Sequence, residues 1–87
     1  MDKKQSQEKG KQKARPLTDA QSSALRESLG KKLKKARLEA KLTQAEVAKK
    51  ADVHVNYYAR IERGEENPSY EKLHGILRAL GLKKIEL

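Results

Sequence analysis

The segment from Thr43 to Gly64 constrains this chain most. Thr43 with Glu46 three residues on has the spacing of a capping box, in which a hydroxyl and a carboxylate satisfy the free N–H groups at a helix start. It opens an apolar-periodic run, Gln44 to Ala51, that is barely two turns long. Asp52 interrupts this run. A second one, from His54 to Arg63, carries Tyr57, Tyr58 and Ile61 at helical spacing after Val53, and Gly64 supplies its stop. Two short helices joined through about three residues cross closely, so the residues at their contact must be small or apolar. Ala48, fifth from Gln44, stands where little beyond a methyl fits, and Val47, Val53, Tyr58 and Ile61 are the inward positions. Asp52 falls at the turn, where a positive φ is wanted; Gly is cheapest there, but Asp tolerates it better than most residues.

The flanking segments are helical too. Leu25, Leu29, Leu33, Ala36 and Ala40 recur at spacings of four and three and fall within an arc of about 80°, a single stripe that faces a core. Lys31, Lys34, Lys35 and Lys41 lie on the opposite side. Thr18 with Gln21 is a capping-box candidate for the start of this helix, with Ser22 or Ser23 as alternatives. Downstream, Glu65-Glu66-Asn67-Pro68 is loop chemistry and Ser69 is placed to cap a last helix. Tyr70, Leu73, Ile76, Leu77 and Leu80 form the apolar face of that helix, and Gly81 ends it. No segment alternates as a strand does, so the expected fold class is all-α. The final LKKIEL is too short to assign, although Leu82, Ile85 and Leu87 are suited to covering a core edge or a partner.

At 87 residues without cysteine, the chain allows one small domain held by packing alone. It holds seventeen Leu, Ile and Val, of which only Leu17 falls in residues 1–23, so a polar tail precedes the folded part. Residues 1–16 carry six basic and two acidic side chains and cannot bury enough apolar surface to offset their ordering entropy. The expected division is a disordered basic arm over 1–17 and a helical domain over 18–87. The arm is either a solubilising tail or a segment that tracks a polyanion. The net charge of +9 points to nucleic acid ahead of a lipid surface. With no apolar run of membrane-spanning length and no secretory signal, the expected location is the cytoplasm, at the nucleoid when DNA is bound.

Small and apolar residues at these offsets, on two short helices, describe a helix-turn-helix. The stretch from Leu29 to Leu82 resembles the lambda-repressor-like (Cro-type or XRE-type) helix-turn-helix family. The likeness is carried by Leu42-Thr43-Gln44, the Ala48 crossing, Arg60-Ile61-Glu62-Arg63-Gly64, Asn67-Pro68-Ser69 and Ala79-Leu80-Gly81. It implies a bundle of four to five short helices with a central helix-turn-helix, and binding of double-stranded operator DNA as a two-fold homodimer. A recognition helix lies in the major groove with its N-terminal residues at base edges, here His54 through Arg60. The positions matching the family's base readers are Val55, Asn56 and Arg60. Val packs on a thymine methyl, Asn bridges adenine, and Arg takes both guanine acceptors. Gln44, His54, Tyr57 and Arg63 match backbone-contacting positions, and Arg37 is oriented toward the DNA backbone through an ion pair with Glu62 that the resemblance implies. Glu65 and Glu66 depart from the pattern, because that loop often carries Lys or Arg, and two carboxylates weaken a phosphate contact. Tyr58 is bulkier than the usual Ile or Val, and its hydroxyl needs water or a partner.

Other function classes fare less well. His54 and His74 stand twenty residues apart with no cysteine, so no zinc set, phosphate-cradling Gly loop or spaced nucleophile and base is legible, and neither an enzyme nor a cofactor is expected. RNA is disfavoured because A-form duplexes close their major groove to a helix and the chain has few aromatics to stack on. The remaining alternative is a protein-interaction module on the same fold, such as an antitoxin, a phage or plasmid accessory factor or a bridging coactivator, with weak DNA binding.

Overall fold

Each helix of the computed structural model, which describes residues 16–83, begins on a side-chain cap and ends on a residue in the left-handed region. In chain order the helices are α1 (Asp19–Glu39), α2 (Gln44–Ala51), α3 (Val55–Glu62) and α4 (Tyr70–Ala79). Thr18 and Thr43 both form complete capping boxes. The Thr43 N–H donates to Glu46 Oε1 at 2.7 Å, and the Glu46 N–H donates back to Thr43 Oγ1 at 3.0 Å. The same exchange between Thr18 and Gln21 decides among the three candidate starts of α1. Ser69 caps α4 by accepting from the Lys72 N–H at 3.2 Å.

The helix ends share one hydrogen-bond pattern. Lys41, Asp52, Gly64 and Gly81 have positive φ, and each is followed by a residue whose N–H reaches back to the carbonyl five positions earlier. This is the Schellman closure, which satisfies carbonyls that the helix leaves free. Asp52, at φ 58°, takes the left-handed turn expected of it. Lys41, at φ 60°, does so without any glycine or asparagine to announce it in the sequence.

The core is built from Leu29 and Leu33 of α1, Val47 and Ala48 of α2, Tyr58 and Ile61 of α3, and Ile76, Leu77 and Leu80 at the end of α4. Leu33, Val47, Ile61 and Ile76 have no exposed surface, and burying such a side chain contributes about 1.5–3 kcal/mol. Val53, Leu73 and Leu82 pack against this cluster while remaining partly exposed. α2 packs on both α3 and α4, and α3 also packs on α1, so the α2–α3 pair is central.

Two expectations about apolar faces need correction. α1, 21 residues long, carries the first. Its stripe is buried only in the middle: Leu25 is 43% exposed and Ala40 lies in the surface turn, because the ends of so long a helix outrun the short elements it packs against. There Leu25, Leu17, Leu29, Pro68 and Leu73 line a shallow groove of about 230 Å³. Tyr70 is 83% exposed rather than part of the α4 core face, and its ring stacks on His74 one turn along.

Gly30 sets the spacing of α1 and α3. A Cβ at this position would stand 2.5 Å from the carbonyl oxygens of both Ile61 and Glu62, so the two backbones approach where only a hydrogen fits. Nearby, Arg26 Nε donates to the Gly64 carbonyl at 3.2 Å, a second tie between α1 and the end of α3. Among the described residues, no helix is long and apolar enough to cross a membrane.

Candidate nucleic-acid interface

Burial of Tyr58 and Ile61 decides which face of α3 looks outward. At 100° per residue, Asn56, Arg60 and Arg63 fall on the side opposite this pair. Asn56 and Arg63 are exposed and Arg60 is half-buried. Val55, the first helical residue, is exposed beside the start of α2 and shares a shallow concavity with Arg37, Leu38, Lys41, Leu42, Thr43, Gln44 and Ala45. The three predicted base readers therefore lie on one short, solvent-facing stretch of α3.

His54 starts this helix. It is the N-cap, its Nδ1 accepting from the Asn56 N–H at 3.1 Å. The sequence suggested a surface residue or phosphate contact at this position, whereas the cap role also fixes the first turn of α3.

The ends of α1 and α3 and the start of α2 meet at an ion pair. Arg37 Nε lies 2.7 Å from Glu62 Oε2 and Nη2 lies 3.2 Å from Oε1, while Nη1 donates to the Leu42 carbonyl at 3.0 Å. Gln44 Nε2 adds a donor to Glu62 Oε1 at 2.9 Å. The side chains are 11% exposed for Arg37 and 3% for Glu62. Burial works to raise the Glu62 pKa, but hydrogen bonds led by those from Arg37 outweigh it and leave the carboxyl below its usual value. The same hydrogen bonding raises the pKa of Arg37. Tyr58 faces this cluster; its buried hydroxyl makes no well-formed hydrogen bond among the described residues, and burial, followed by the Glu62 carboxylate, raises its pKa above the usual phenol value. Arg37 and Gln44, both predicted to face the DNA backbone, thus turn their side chains toward Glu62.

The two glutamates of the α3–α4 loop pair with Arg60 of α3 and with Arg63, its C-cap. Glu66 Oε2 accepts from Arg60 Nε at 3.2 Å and from Nη2 at 3.1 Å, and Arg63 Nη2 lies 3.1 Å from Glu65 Oε1. Arg60 Cζ also lies 5.9 Å from the centre of the Tyr57 ring. Tyr57, expected at the DNA backbone, is half-buried and packs in part against the core. Among the described residues, no three His, Asp or Glu side chains gather as metal ligands would.

Sequence reasoning missed Gly30 and the partners of Arg60. A lone glycine inside an otherwise helical pattern was the available signal for the first, since it costs helix stability unless a close approach needs it. Glu66 carries no comparable signal, because its partner depends on the path of the loop.

The helix-turn-helix family matches residues 33–87, most of the region expected from the resemblance. The immunity repressor protein of Bacillus phage phi105 is 41% identical over 56 residues, which are 64% of this chain and 39% of the repressor. The chain thus matches well under half the length of that relative. An uncharacterized HTH-type transcriptional regulator, y4dJ of Sinorhizobium fredii, is 33% identical over 63 residues, covering 72% of this chain and 82% of the regulator. Among solved structures, the clp gene regulator ClgR of C. glutamicum superposes with a TM-score of 0.65 at 36% identity, over 67% of this chain and 74% of ClgR. The wild-type restriction-modification controller protein C.Esp1396I gives 0.65 at 30% identity, over 68% and 78%.

Proposed function

The chain belongs to the helix-turn-helix family of DNA-binding transcriptional regulators, XRE type, and from that premise we propose that it reads a palindromic operator in double-stranded DNA as a homodimer, with α3 in the major groove. The observation that carries this is the outward face of α3: Asn56 and Arg60 stand opposite the buried Tyr58 and Ile61, with Val55 exposed in the first turn beside the start of α2, on a helix held from behind by α1 and α2. Asn56 bridges adenine, Arg60 takes guanine O6 and N7, and Val55 packs on a thymine methyl. His54, Tyr57 and Arg63 flank these residues toward the phosphates. Gln44 contributes the N-terminus of α2, where backbone N–H groups suit a phosphate oxygen. Arg37 acts at the DNA backbone from behind, by holding the ends of α1 and α3 against the start of α2.

Two copies on a palindrome place their recognition helices about 34 Å apart, one turn of DNA. Of the three C-terminal apolar residues suited to a core edge or a partner, and so candidates for the dimer contact, Leu82 is half-buried against its own core, and Ile85 and Leu87 lie outside the described residues. The basic arm also lies outside them, apart from Pro16 and Leu17. Its proposed role is non-specific attraction to phosphates, so deleting residues 1–16 weakens binding to every duplex and flattens the salt dependence. Such a protein acts in the cytoplasm, at the nucleoid.

Selection from random duplex DNA tests the whole assignment. A two-fold consensus containing guanine and adenine is expected, and Arg60→Ala should relax the guanine position at a cost of about 1–3 kcal/mol in discrimination. An unchanged consensus in Arg60→Ala removes Arg60 as a reader. Salt-sensitive binding with no sequence preference favours the protein-interaction module instead.

A further inference from the structure

Arg60 is gripped on one edge only. A guanidinium has a side edge, formed by Nε and one N–H of Nη2, and an end edge, formed by Nη1 and the other N–H of Nη2. Glu66 Oε2 accepts from both nitrogens of the side edge, at 3.2 and 3.1 Å. The end edge makes no hydrogen bond among the described residues, and the Arg60 side chain remains 42% exposed. Its two parallel N–H groups have the geometry that the adjacent O6 and N7 acceptors of guanine require.

The position of Glu66 is set by the same arginine. Gly64, at φ 78°, turns the chain out of α3, and the Glu65 N–H then donates to the Arg60 carbonyl at 2.9 Å. The backbone of Arg60 thereby anchors the loop whose next residue grips the Arg60 side chain. The Tyr57 ring, 5.9 Å from Cζ, is a second attraction on the guanidinium.

We infer that Glu66 is a positioning residue for base reading: it holds the side edge of Arg60 so that the end edge is presented to guanine. The inference rests on the assignment of α3 as the DNA-reading helix and names the residue that sharpens it. A long arginine loses rotamer freedom when it docks; one already held in the docking geometry loses less, and misdirected contacts to phosphate are disfavoured. The carboxylate also repels phosphate, so Glu66 lowers affinity for every duplex while it raises discrimination. Those opposite signs distinguish an aiming residue from an ordinary surface charge.

The test compares the full chain with Glu66→Gln and Glu66→Ala at fixed salt. Each is titrated against the selected duplex, the same duplex with the Arg60-read guanine replaced, and an unrelated duplex. In Glu66→Ala, preference for guanine should fall at least about fivefold, within the range of one bidentate contact, while the unrelated duplex binds as tightly or more tightly. Glu66→Gln keeps an acceptor oxygen and should fall between Glu66→Ala and the unaltered chain. Thermal unfolding confirms that the variants are folded, as expected for a loop side chain that is 31% exposed. Equal tightening on all three duplexes overturns the inference, because Glu66 then only repels phosphate. A rise in guanine preference overturns it too, because Glu66 then competes with the base for Arg60. If the unaltered chain shows no guanine preference that Arg60→Ala removes, the assignment of α3 fails together with this inference. An Arg60-dependent preference indifferent to Glu66 defeats the inference alone.

Discussion

Arg37 and Arg60 are each held on their Nε–Nη2 edge by a glutamate, yet the two pairs do different work. Glu62 meets Arg37 with both oxygens across 25 positions of sequence, and the side chains are 11% and 3% exposed. Glu66 meets Arg60 with one oxygen across six positions, and the side chains are 42% and 31% exposed. In the first pair the third guanidinium nitrogen is also bonded, to the Leu42 carbonyl, and the side chain is nearly covered, so little of it is left to offer a ligand. In the second pair Nη1 remains available. Burial turns one ion pair into a strut between helices, and exposure leaves the other able to aim a donor at DNA.

The contrast is sharpest in stability. Glu62→Ala leaves Arg37 largely buried without its carboxylate and should cost about 3 kcal/mol in urea unfolding, since removing one partner of a buried pair strands a charge. A loss within about 0.5 kcal/mol, as for an ordinary surface change, would make the two pairs equivalent and break the comparison.

Gly30→Ala attacks the frame that brings Glu62 to Arg37. Its methyl meets two backbone carbonyls, which cannot rotate away, so a loss of about 2 kcal/mol is expected from forced separation of α1 and α3. Alanine is the better helix former, so a gain in midpoint would show that the approach of the two backbones is looser than 2.5 Å requires.

Acid probes the same strut. The folded-state pKa of Glu62 lies below the usual 4.5, so the unfolded chain takes up this proton first as pH falls. The pair's contribution is whole above pH 4.5 and is lost as pH drops from there through the lowered folded value. Unfolding midpoints measured across that window should fall more steeply for the unaltered chain than for Glu62→Gln. Parallel curves would remove the pair from the acid response.

Glu66→Ala should have the smallest effect on stability, within about 0.5 kcal/mol, because an exposed pair in water is worth little. Denaturation of this variant alongside Glu62→Ala measures the difference between strut and aiming device directly.

How much of this was legible depends on whether the deciding interaction was local. The capping boxes at Thr18 and Thr43, the cap at Ser69, the turn at Asp52 and the stop at Gly64 involve residues within a few positions of one another, and all are present. The Ala48 crossing and the burial of Val47, Tyr58 and Ile61 were also readable, because two short linked helices have few ways to pack. Leu25 and Tyr70 misled because periodicity reports which face a residue occupies, not whether a neighbour reaches that far along the helix. Lys41 in the left-handed region carried no local signal either. Its conformation is selected by the closing bonds of α1 and the start of α2.

The sequence by itself determined an all-helical unit, the caps that open α2 and α4, the stops at Asp52, Gly64 and Gly81, and the outward positions Val55, Asn56 and Arg60, since each follows from backbone satisfaction and side-chain period. Only the tertiary structure decided that Gly30 lies against the end of α3, that Gln44 turns inward to Glu62, and that two chemically alike Arg–Glu pairs have opposite exposure. Those outcomes depend on which elements meet and how closely, and a charge's role is set by the water left around it.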